Sequence, residues 1–130
     1  MARNTRTFTD LDFNFLKHPK TGDVSVRSDD DAIKQSIRNL VLTRNFERPF
    51  RSDVGCQVTS LMFEPMSPML GTLIEKTIAD VINNYEPRAV LLDVLVRFSP
   101  ENNNAYVTIT FKIRNTETPL QVNLILERTR

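Results

Sequence analysis

The strongest hydrophobic periodicity in the chain runs through Leu70, Leu73, Ile74, Ile78, Val81, Ile82 and Tyr85, spacings that place all seven on one stripe of a helix about four turns long. Ser67-Pro68 supplies its start, since a serine side chain can cap the first turn and proline at the first helical position gives up no needed hydrogen bond. Pro87 supplies its stop, because it disfavours helical geometry at Glu86 and has no N–H to donate. An earlier stripe, Ile33, Ile37, Leu40 and Val41, predicts a first helix that fades at Thr43 to Asn45. Ser28, with Asp31 three residues on, is its expected N-cap.

After Arg88 the period changes to two. Val90, Leu92, Val94, Val96 and Phe98 are expected on one face of a strand, with Asp93 and Arg97 on the other. The polar run from Ser99 to Asn104 is a loop, and Val107, Ile109, Phe111 and Ile113 alternate beyond it. A turn at Asn115 to Thr118 precedes a third strand carrying Leu120, Val122, Leu124 and Leu126. Short connections imply an antiparallel meander. One apolar face per strand implies a sheet buried on one side, so the expected fold is an α+β two-layer sandwich, with two main helices on one face of an antiparallel sheet of at least three strands.

The remaining segments carry weaker patterns. Phe13 and Phe15, the turn His18 to Gly22, and Val24 and Val26 suggest that residues 1–27 form an extended segment or small hairpin ahead of a single domain at 28–130. Phe46 to Phe63 lacks a sustained period and holds Pro49 and Gly55, which predicts a long, partly packed connection. Met62, Met66 and Met69 at the entrance to the second helix suit either adaptable packing or a binding surface, and packing under the long connection is the expectation.

Composition narrows the function classes. A chain of 130 residues has room for one core. The net charge of +1, with Lys and Arg scattered, offers no basic stripe for nucleic acid. No apolar run is long enough to span a membrane, the polar start does not read as a secretory signal, and the lone Cys56 suits synthesis in a reducing cytoplasm.

Catalytic chemistry finds little support. The glycines Gly22, Gly55 and Gly71 are too dispersed for a phosphate loop, and His18 is the sole histidine, without metal-ligand neighbours, so no cofactor or metal is expected. Cys56 reads as a small buried hydrophobe. Paired carboxylates are harder to dismiss, since a muramidase-like hydrolase needs only two acids at the right separation, and Asp53, Glu64, Glu75 and Glu86 are candidates.

Arg48-Pro49-Phe50, Val54-Gly55-Cys56, Leu61-Met62-Phe63-Glu64, the Ser67-Pro68 helix start and Asn84-Tyr85-Glu86-Pro87-Arg88 occur in this order ahead of three strands. Together, over Asp30 to Glu127, they resemble the small lysozyme-like baseplate wedge family of contractile-tailed phages, whose type VI secretion counterpart is TssE. Val54 stands where an aromatic is common, and the first 27 residues match no pattern of the family. The resemblance implies a non-enzymatic wedge component that joins the inner baseplate to the first sheath ring and templates sheath assembly. It also implies a place in the virion tail baseplate after assembly in the host cytoplasm. By the same resemblance Glu86, Pro87 and Arg88 contact a helical core bundle of other wedge proteins, and the sheath protein pairs with a strand edge such as Leu120 to Glu127. A helix stop with an internal Glu86–Arg88 salt bridge would use the same residues. A tail hydrolase, a type VI baseplate subunit and a small adaptor on the same fold are the other readings open at this point.

Overall fold

The computed structural model describes residues 8–128. A two-stranded antiparallel hairpin, β1 (Thr9–Leu11) and β2 (Val26–Ser28), leads into α1 (Asp30–Leu42). A long connection containing one short helix, α2 (Val58–Leu61), leads to α3 (Pro68–Tyr85). The chain ends in a three-stranded antiparallel meander of β3 (Ala89–Ser99), β4 (Asn104–Ile113) and β5 (Pro119–Glu127), in that spatial order. Helices lie on one face of this sheet, α3 against β3 and α1 towards β5. The first seven residues of the expected N-terminal segment lie outside the described residues.

The long helix forms as its sequence dictates. Ser67 is in extended conformation and its Oγ accepts from the Leu70 N–H at 3.2 Å, with Pro68 in the first turn. Its inward stripe includes Ile74, Ile78 and Ile82, all fully buried, and burial of each such side chain contributes about 2 kcal/mol. Leu73, at the edge of the stripe, stays half exposed. At Gly71 a Cβ would stand 3.3 Å from the Phe98 ring, so the absence of a side chain lets α3 lie close over β3.

Two local expectations are corrected. Ser28 does not cap α1; it is the last residue of β2, paired with Thr9, and Asp29 takes the cap position with φ +50°. Asp29 is held there by β1's approach, since its N–H donates to Phe8 O at 2.7 Å and its carboxylate accepts from Phe8 N–H. The second correction concerns β3. A bulge at Leu92 separates the pairs Leu91↔Phe111 and Asp93↔Thr110, so the strand changes parity. Ala89, Leu91, Val94, Val96 and Phe98 pack inward, whereas Val90, Leu92 and Leu95 are exposed. Hydrophobic residues at both parities hide such a bulge in sequence.

This bulge makes an unusual deletion tolerable. Removing Leu92 leaves every flanking pair in register, so the shortened chain is expected to unfold cooperatively within about 5 °C of the parent. Removing Val94 instead either puts the strand out of phase or, if the bulge is lost, sets Asp93 on the core face in place of Val94, and is expected to destabilise the fold strongly. Thermal unfolding followed by circular dichroism distinguishes them, and equal tolerance of both deletions would refute the bulge.

The meander matches the alternation in sequence. Ala105, Val107, Ile109, Phe111 and Ile113 of β4 and Val122, Leu124 and Leu126 of β5 are all buried. Asn103 and Asn115 take positive φ in the two turns, a conformation asparagine tolerates well.

Candidate docking site

Glu86, Pro87 and Arg88 occupy the turn between α3 and β3. Glu86 closes the helix with its N–H donating to Ile82 O at 2.9 Å, and its side chain turns inward until the residue is only 2% exposed. A buried carboxylate requires partners. Arg88 provides two, Nε to Oε1 at 2.7 Å and Nη2 to Oε2 at 3.0 Å, and its backbone N–H a third. Ser36 of α1 donates its hydroxyl to Oε2. Burial pushes the Glu86 carboxyl pKa up, but the hydrogen bonds from Arg88 and Ser36 and the guanidinium charge outweigh it and hold the group below its ordinary value. The same pairing, against a smaller effect of burial, raises Arg88.

The guanidinium also reaches the N-terminal hairpin. Asp10 Oδ2 lies 3.5 Å from Arg88 Nη2, and the Phe8 ring centroid is 5.6 Å from the guanidinium carbon. One arginine therefore links the end of α3, α1 through Glu86, and the hairpin. Pro87 is exposed, and the Arg88 side chain keeps 24% of its surface. The internal salt bridge that sequence left open is present, and it occupies Glu86 fully. What the turn offers outward is the proline ring and the remaining edge of the guanidinium.

Residues 43–57 form the neighbouring loop. Gly55 (φ +153°) packs against the backbone of Arg44, and Cys56 N–H donates to Thr43 O at 2.7 Å, closing the loop at its base. Tyr85 Oη donates to Asp53 O at 2.8 Å, which ties the loop to the end of α3. Val54, Cys56, Val58 and Met62 are buried, but Phe46, Phe50 and Phe63 of this connection are exposed, as is Met69 at the start of α3. Of the three clustered methionines, Met62 packs fully and Met66 partly.

The other candidates for chemistry are dispersed. Asp53 is exposed beside Arg51 at 3.3 Å, Glu64 is exposed, and Glu75 accepts from the backbone N–H of Val96 on the edge strand β3 at 3.1 Å. His18 Nδ1 accepts from the N–H groups of Lys20 and Thr21, a turn-forming role. Burial pushes the Cys56 thiol pKa up, which disfavours the nucleophilic thiolate. Among the described residues, no cluster of His, Cys, Asp and Glu could hold a metal ion, and no helix is long and apolar enough to cross a membrane. The contributions of Ser36, Asp10 and Phe8 escape sequence reasoning because they come from residues 50 and more positions away.

The scaffold is a small α+β sandwich in which the Glu86–Arg88 cluster fixes the turn between α3 and β3. Residues 27–118 match the family of the baseplate wedge protein gp25. The chain is 31% identical over 113 residues to the baseplate wedge protein gp25 of Enterobacteria phage T4, spanning 87% of this chain and 85% of that protein. It superposes with a TM-score of 0.73 on the crystal structure of a Geobacter sulfurreducens protein named as a tail lysozyme, at 26% identity over 82% of this chain and 97% of that one. A subunit of the anti-feeding prophage baseplate shares the fold with a TM-score of 0.65, at 24% identity over 95% of this chain and 87% of that one. The chain belongs to the baseplate wedge protein gp25 family, and its role is structural, in a baseplate.

Proposed function

We propose that this protein is the wedge subunit that joins the inner baseplate to the first ring of a contractile sheath in a tail assembled in the host cytoplasm. Pro87 and Arg88 meet a helical bundle of other wedge proteins, and a sheet edge pairs with a strand of the sheath. The observation that carries the first contact is the fixed geometry of the turn. Glu86 spends its carboxylate internally, so it acts by positioning Arg88 and not by touching the partner. For the sheath contact, β3 and β5 are the two edges of the three-stranded sheet. Each edge has one backbone group already taken, the Val96 N–H of β3 by Glu75 at 3.1 Å and the Asn123 carbonyl of β5 by Arg38 at 3.4 Å, and β5, with the longer contact, is the edge proposed as the template. Residues 28–130 form the wedge domain in this reading, and the preceding hairpin is an extension held by Arg88.

The lysozyme name of one structural relative raises hydrolysis as a second reading. A glycosidase acid needs its carboxyl pKa raised. Glu86, the only buried acid among the four candidates, has its pKa lowered, which favours the non-enzymatic role.

The test uses Pro87→Glu, which alters only the exposed ring, and Arg88→Gln, which removes the counter-charge of the buried Glu86 and is read only on protein shown to be folded by circular dichroism; reversal of charge at Arg88 would set a second carboxylate against a buried one. With Pro87→Glu, folded protein but few sheathed tails are expected by electron microscopy, and purified protein should release no reducing ends from peptidoglycan. Normal tails with both variants would refute the docking role, and carboxylate-dependent cleavage would refute the non-enzymatic one.

A further inference from the structure

The guanidinium of Arg88 presents its N–H donors in one plane, as a fork on each of two edges. Glu86 takes the edge formed by Nε and Nη2, in a bidentate pair at 2.7 and 3.0 Å. The other edge is formed by Nη1 and the second hydrogen of Nη2. Among the described residues nothing accepts from Nη1, and one acid besides Glu86 reaches Nη2: Asp10, with Oδ2 at 3.5 Å. That separation is long beside the roughly 2.8 Å of a firm charge-assisted bond, and the Asp10 side chain is 40% exposed. The Phe8 ring adds a second cover, its centroid 5.6 Å from the guanidinium carbon.

Both covers come from the N-terminal hairpin and the residue just ahead of it, and their attachment to the body is light. Asp29 N–H donates to Phe8 O at 2.7 Å, and Gln35 of α1 donates to Leu11 O at 2.8 Å. The apolar side chains Leu11, Phe13, Phe15 and Leu16 are all more than half exposed, so the hairpin buries little apolar surface to hold itself down. The two carboxylates of Arg88 therefore differ in kind. Glu86 is buried and fixed, whereas Asp10 is exposed and loosely placed. A partner that uses the second fork needs both of its N–H groups, and Asp10 stands at one of them.

We infer that Asp10, assisted by Phe8, is an internal placeholder on Arg88, an autoinhibitory contact that gives way to a hydrogen-bond acceptor of the docking partner. The inference rests on the docking role proposed for the turn at Pro87 and Arg88, and adds to it a competitor supplied by the same chain. The free subunit then binds its partner less tightly than the turn alone would, by the strength of one exposed ion pair, about threefold in affinity.

The full chain is tested for binding to the purified complex of the other wedge proteins from the same tail, by biolayer interferometry. Asp10→Ala removes the competitor and should tighten binding about threefold, while lowering the urea midpoint of the isolated chain because the hairpin loses a contact. A purely supporting role for Asp10 predicts weaker binding along with lower stability. Asp10→Asn keeps the shape without the charge and should tighten binding as well, so the result does not hang on the alanine variant alone. On an Arg88→Gln background the gain from Asp10→Ala should vanish, since the fork in dispute is gone. The placeholder is overturned if both Asp10 variants bind as the parent does or more weakly, or if the gain persists without Arg88. Binding lost with Pro87→Glu but unchanged by either Asp10 variant leaves the turn standing and removes the placeholder. Binding indifferent to both Pro87→Glu and Arg88→Gln removes both.

Discussion

Glu86→Ala is expected to cost about 3 kcal/mol at neutral pH, the lower end of what removal of one partner from a buried pair costs, because Arg88 retains Asp10 and some solvent. Ser36 loses its acceptor and Arg88 loses the carboxylate that positions it against the hairpin, so unfolding in urea should begin at lower concentration and proteolysis near residue 8 should quicken. Acid supplies an independent check. The folded-state pKa of Glu86 lies below its ordinary value of 4.5, so the unfolded chain binds the proton more readily. The associated stability is complete above that ordinary value and is lost as pH falls through the folded one. Arg88→Ala removes the main counterweight to burial, which should raise the Glu86 pKa above its ordinary value. The penalty of Arg88→Ala should then shrink on acidification. A penalty that stays constant from pH 7 to pH 3 would contradict the cluster described for Glu86.

Gly55→Ala has a comparable expected effect from another cause. An alanine Cβ would lie 2.7 Å from the carbonyl carbon and oxygen of Arg44 and 2.8 Å from Asn45 N, all backbone atoms, at φ +153°. Side chains cannot swing aside to relieve this, so the loop base must move, at a cost of about 3 kcal/mol or more. Hydrogen exchange at the Cys56 amide, bonded to Thr43 O, should accelerate strongly as the base opens. A Gly55→Ala protein within about 0.5 kcal/mol of the parent would show that this close approach is absent.

The parts of the fold legible in sequence are those whose local signals agree. Ser67, Pro68, the stripe to Tyr85 and Pro87 all mark the same helix, and β4 and β5 alternate without interruption. The Leu92 bulge is illegible because Val90, Leu91, Leu92, Val94 and Leu95 supply apolar residues at both parities, so alternation alone cannot show where the phase changes. Ser28 looks like a cap by type and spacing, but pairing with Thr9 across the hairpin decides its role. At the candidate site, sequence supplies the chemistry of Glu86 and Arg88 but not its direction. Direction depends on Ser36, 50 residues earlier, whose hydroxyl waits beside the helix end. Phe46 and Phe50 mislead for the opposite reason. Phenylalanine ordinarily signals a core, and only the arginines interleaved with them mark a surface.

The bond from Tyr85 Oη to Asp53 O has a mechanical consequence. It is a strut between a loop and a helix end, fastened at one side to the main chain. A pull on the loop is passed along it into α3, the longest helix, instead of being absorbed by bending. Because the acceptor is a backbone carbonyl, the identity of the side chain at position 53 does not enter the strut, whereas position 85 must carry a hydrogen-bond donor at that reach, which phenylalanine lacks.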